Sequence, residues 1–64
     1  MTQHVKHGGQ ALVDTLKAEY GIPAEQAIRV AEIVQRLGVD SEPLPQGYID
    51  IKKVGRTFVI EEHF

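Results

Sequence analysis

The sequence predicts a small α+β domain, two helices followed by a β-hairpin (ααββ) around one core. Three observations carry this expectation. Residues 23–37, PAEQAIRVAEIVQRL, have the apolar period of a helix. Residues 10–20 show the same period, with Leu12, Leu16 and Tyr20 spaced by four. Residues 47–61 change to strand-like alternation around a glycine.

The second helix is the best marked element. At 100° per residue, Ala27, Val30, Ala31, Val34 and Leu37 share one side, widened by Ala24, Ile28 and Ile33. The apolar arc covers roughly half the cylinder, so the helix needs partners on two sides. Pro23 suits the first helical position, where a missing N–H costs nothing. Glu25 is spaced to reach back to a free backbone N–H. Gly38 suits a left-handed C′ residue, with Val39 folding back onto Val34 in a Schellman motif.

The first helix spans 10–20, with Val13 widening its stripe. Gly21 is its expected C′ residue, and Ile22 is expected to close back on Leu16. The connection to the second helix is therefore very short. Residues 39–46 hold Asp40, Ser41, Glu42, Pro43 and Pro45 and read as a loop, with Leu44 tucked inward. In the hairpin, a turn at Val54-Gly55 sets Lys53 opposite Arg56, Ile51 opposite Phe58 and Ile49 opposite Ile60. Those four apolar residues then share a face, with Asp50, Lys52, Thr57 and Glu61 on the other. The expected core is Leu12, Leu16, Ala27, Val30, Ala31, Val34, Leu37, Ile49, Ile51, Phe58 and Ile60. Residues 1–9 read as a flexible arm ending in Gly8-Gly9, and 10–64 as a single compact domain.

The totals limit the function. A chain of 64 residues makes one marginal domain that buries only about 60% of its unfolded surface. Seven basic and nine acidic residues give a net charge of −2, with a pI near 5.8. There is thus no global pull towards nucleic acid or anionic membrane. Cysteine is absent, which removes disulfide and thiolate chemistry. No apolar run approaches the roughly 20 residues of a membrane span, and no secretory signal is visible. The expectation is a soluble cytoplasmic protein.

The segment from Leu16 to Val39 resembles the helix-turn-helix of GntR-type winged-helix regulators. The matching pieces are Tyr20-Gly21-Ile22, Arg29, Val34, Gly38-Val39 and, for the wing, Gly55-Arg56-Thr57-Phe58-Val59. The resemblance implies a winged-helix-like fold and, with it, DNA binding through Gln26 and Arg29 of the second helix and Lys52, Lys53 and Arg56 of the wing. At the start of its recognition helix the family carries Arg and Thr, where this chain has Ala24, Glu25 and Gln26.

The chemistry-bearing residues fall into three groups. Glu25, Arg29, Glu32 and Arg36 form a charged stripe at helical spacing, with Glu-first i,i+4 pairs worth a few tenths of a kcal/mol. Its plainest reading is a solvated face. Its mixed signs suit a protein partner better than phosphate. Lys52, Lys53 and Arg56 gather at the hairpin tip, either as a phosphate-touching wing or as lysine guarding an edge strand. His4, His7 and His63 lie near the termini. If Met1 were removed, Thr2-Gln3-His4 would offer Cu(II) or Ni(II) a square-planar nitrogen set; otherwise no metal and no cofactor is expected. Nothing points to catalysis, since the carboxylates are scattered and Ser41 has no histidine nearby in sequence.

The sequence therefore supports a small non-enzymatic regulatory or adaptor protein that binds another protein, as a homodimer. Its sites would be Glu25, Arg29, Glu32, Arg36 and Tyr48, with dimer pairing at the free edge of the second hairpin strand. The alternative is a minimal winged-helix DNA-binding regulator.

Overall fold

A computed structural model describes residues 12–64 and the backbone of residues 3–8. The elements are β1 (Gln3–Gly8), α1 (Leu12–Tyr20), α2 (Ala24–Leu37), β2 (Val39–Leu44), β3 (Gly47–Val54) and β4 (Thr57–His63). The strands form one sheet in the order β1-β4-β3-β2, and every neighbouring pair is antiparallel. Two helices followed by an antiparallel sheet make the expected α+β architecture. The sheet is larger than a hairpin.

Both helices cover the same face of the sheet. Leu12, Leu16, Tyr20 and Ile22 meet Ala27, Val30 and Val34 of α2 above Ile49, Ile51, Phe58 and Ile60. Burying each of the larger side chains contributes about 1.5–3 kcal/mol relative to leaving it exposed. Val13, Ala31 and Leu44 are partly buried against this cluster. Leu37, expected in the core, is 72% exposed. It closes the last turn at the margin of the apolar arc, beyond the reach of the sheet.

The helix ends follow their glycines. Gly21 (φ 67°) and Gly38 (φ 86°) are both left-handed. The Gly21 N–H donates to Lys17 O at 3.1 Å and the Ile22 N–H to Leu16 O at 3.2 Å. This turns Ile22 back into the core as expected. At the end of α2 the Gly38 N–H donates to Val34 O at 2.8 Å, the single bond of the αL motif rather than a Schellman pair. Val39 does not return to Val34, because it is already the first residue of β2 and half exposed. Pro23 stands one place earlier than expected, at the N-cap (φ −58°, ψ 149°) with no side-chain cap. Its carbonyl accepts the Ala27 N–H at 2.9 Å, so its fixed φ serves the entry to the helix and Glu25 moves to the second helical position.

Three expectations about the strands are corrected. Residues 39–46, read as a loop, contain β2 and a two-residue turn at Pro45-Gln46. The Lys53 N–H donates to Gly38 O at 2.9 Å, and antiparallel bonding alternates from there. Asp40, Glu42 and Leu44 therefore bond to β3, while Pro43 turns its missing N–H to the open edge, where proline costs no ladder bond. The hairpin register also differs: Val54 pairs Thr57, Ile51 pairs Ile60 and Ile49 pairs Glu62. The turn is Gly55-Arg56, with Gly55 at φ 63° in the first central position and Thr57 Oγ1 donating to Val54 O at 2.9 Å. A two-residue shift of partners leaves every side chain on its original face, so alternation could not separate the two registers. Third, Gln3–Gly8, within residues 1–9 expected as a flexible arm, form β1 alongside β4. β4 is thus interior, and the free edge expected there belongs to β1 and β2. Met1, Thr2, Gly9 and, from the expected first helix, Gln10 and Ala11 lie outside the described residues.

Among the described residues, no helix is long and apolar enough to cross a membrane.

Candidate functional site

The helices cover one sheet face; among the described residues, the outer side of α2 and the far face of the sheet both stand open. The first carries the charged stripe. Glu25, Arg29, Glu32 and Arg36 are all exposed, as the helical period requires once Ala27, Val30 and Val34 are buried. The intrahelical ion pairs expected for them are not made. Arg29 donates instead to Gln26 Oε1 at 3.3 Å, and among the described residues no ion pair joins Glu25 to Arg29 or Glu32 to Arg36. Gln26 is itself held by β2, donating from Nε2 to both carboxylate oxygens of Glu42 at 3.1 and 3.2 Å. That bridge fixes one side of α2 to the sheet edge.

Apolar side chains flank the stripe. Ile28 is 49% exposed and Ile33 is partly exposed. With Val13 of α1 they join Arg29, Glu32 and Arg36 in a shallow open groove. An apolar floor rimmed by both signs of charge is suited to a protein surface.

The far face of the sheet holds a cluster that only the strand pairing assembles. Tyr48 and His63 are cross-strand partners, with rings stacked at 4.5 Å and 7°. Asp50 sits directly opposite Glu61, a like-charge pair that is unfavourable alone. It is offset on both sides. Lys52 Nζ lies 3.1 Å from Glu61 Oε1, and Ser41 of β2 donates to Asp50 Oδ1. His63 Nε2 lies 3.0 Å from Asp50 Oδ2, but this nitrogen completes no hydrogen bond among the described residues. The contact is therefore electrostatic in kind, and attractive when the ring is protonated. The sequence does not announce this cluster, because residues 39–46 read as a loop and Ser41 has no strand partner there. The order is Ser–Asp–His, with the hydroxyl donating to the Asp50 carboxylate rather than to an imidazole, which is not the Ser–His–Asp order of a triad. The cluster ties β2, β3 and β4 together.

A second polar contact lies beneath the helices. Glu62 is 7% exposed and accepts a hydrogen bond from the Tyr20 hydroxyl. Burial, then the bond and the charge of Glu62, then the charge of Glu19 push the Tyr20 phenol well above its ordinary range. The strand-like alternation ends at Glu61 in the sequence, one residue short of Glu62. Extending the inward series Phe58, Ile60 by one more step would have found it.

The basic tip is dispersed. Lys52 points to the far face and pairs with Glu61, while Lys53 is opposite Phe58 on the other face and Arg56 is in the turn. Tyr48 is 44% exposed but on the opposite side of the sheet from α2, so the residues expected to bind protein form two surfaces. Among the described residues no three His, Asp or Glu side chains are placed to hold a metal ion. The side chain of His4, with Thr2, lies outside the described residues.

No family model, curated protein or solved structure matches this chain.

Proposed function

We propose that this chain is a small non-enzymatic regulatory or adaptor protein that works in the cytoplasm as a homodimer and binds another protein. One observation carries the reading: the outer face of α2 combines exposed Ile28 and partly exposed Ile33 with four charged residues that make no ion pairs with one another. Such a surface offers apolar area for affinity and mixed charge for register. Tyr48, on the far face, provides a second aromatic anchor.

The runner-up is a minimal winged-helix DNA-binding regulator. It draws on the exposed Lys53 and Arg56 at the hairpin tip and on Gln26 and Arg29. Against it, Lys52 is engaged by Glu61, Gln26 by Glu42, and two acids interrupt the helix stripe. About three basic side chains at a tip give weak, steeply salt-dependent binding.

Two measurements separate the readings. Tagged chain from its own source should retain one defined protein, and Tyr48→Ala should lose it while Lys53→Glu does not. Retention on duplex DNA at low salt that is abolished by charge reversal at Lys52, Lys53 and Arg56 would instead favour the regulator.

A further inference from the structure

We infer that the outer face of α2 is the self-association surface, and that its occupant is the α2 of a second copy, packed antiparallel. This rests on the protein-binding reading and divides its surfaces: α2 for the second copy, the far sheet face with Tyr48 for a different protein.

The argument is charge complementarity. Glu25 and Arg36 are equidistant from the midpoint between Val30 and Ala31, and so are Arg29 and Glu32. All four fall within about 60° of helix circumference, at 100° per residue, on the side away from Ala27, Val30 and Val34. A two-fold axis at that midpoint therefore sets Glu25 of one copy against Arg36 of the other and Arg29 against Glu32. Each contact occurs twice, as an isologous interface requires. A parallel arrangement would oppose like charges. Among the described residues nothing competes for these pairings: Arg29 donates to Gln26 alone, and the favourable i,i+4 partners along the helix are left unjoined. Ile28 and Ile33 flank the charged row on its two sides, where helix-on-helix packing would shield them from water. The contact is one helix of 14 residues, roughly 20 Å long, which places it among small interfaces of modest affinity.

The test is sedimentation equilibrium across micromolar concentrations with Glu25→Arg and Arg36→Glu, singly, mixed and combined in one chain. Far-UV circular dichroism reports whether each variant is folded. The wild type should be a reversible dimer that weakens with salt. Each single reversal places two like-charge pairs in the interface and should weaken association about tenfold or more. Mixing the two folded single variants should restore dimers, because each supplies what the other lacks. The doubly reversed chain should also dimerise. A wild type that stays monomeric, single variants that associate as well as wild type, or a mixture that fails to associate would each overturn the inference. Tyr48→Ala should leave the dimer intact. If it alone dissociates the dimer, self-association runs through the sheet face. The inference then fails while the protein-binding reading stands. That reading fails separately if no partner protein depends on Tyr48.

Discussion

At the scale of single residues, two groups decide how the interior tolerates change. The Tyr20 phenol is protonated in the fold and donates to Glu62. Its raised proton affinity means that the folded state holds this proton more tightly than the unfolded chain, whose tyrosine titrates near 10. The stabilisation is fully present below that pH and falls as pH rises through the folded value. Urea denaturation at pH 7 and at about pH 11 should show an alkaline loss of stability. Tyr20→Phe should lower stability at pH 7 by about 1–3 kcal/mol, since Glu62 loses a donor, and should flatten part of the alkaline loss. Gly47 is the second such residue. Its φ is 155°, and a side chain there would collide with the His63 carbonyl. Gly47→Ala should cost more than about 2 kcal/mol by thermal denaturation. Gly55→Ala, in open space at φ 63°, should cost only about 1 kcal/mol.

Single elements differ in how plainly the sequence announces them. α2 was legible because its apolar period is long, continuous and ended by Gly38. The partition of β3 and β4 into faces was legible because side-chain period is indifferent to a two-residue shift. For the same reason the pairing itself was not. Gly55 in either central position of a turn satisfies the pattern, and only the assembled sheet selects the first. β2 was hidden by Pro43 within it and Pro45 just beyond it. Pro43 breaks a central strand but is harmless at an edge, and nothing local says that residues 39–44 form an edge. That edge also makes a prediction. Pro43 withholds a donor, and Asp40 and Glu42 add charge near the strand, both devices that discourage edge-to-edge pairing. Pro43→Val should leave the fold intact by circular dichroism while raising concentration-dependent aggregation in light scattering.

For the whole molecule, the candidate site divides in the same way. The α2 stripe could be read from the period alone, whereas the Ser41–Asp50–His63–Tyr48 cluster joins residues from three strands that only tertiary pairing brings together. β1 lay beyond sequence reading altogether, because Val5 is the only large aliphatic residue in QHVKHG and no alternation marks it. With β4 enclosed between β1 and β3, self-association through a free β4 edge loses its basis. The outward face of α2 then carries the self-association proposed above. Because the chain has no cysteine, one introduced thiol can be labelled cleanly. The most direct test is the distance between spin labels at Leu37→Cys in the dimer, by pulsed electron resonance. Antiparallel α2 packing about the Val30–Ala31 midpoint predicts labels about 20 Å apart along the helix axis. A separation near 10 Å, expected for parallel helices, or no dipolar coupling at concentrations where the chain sediments as a dimer, would contradict it.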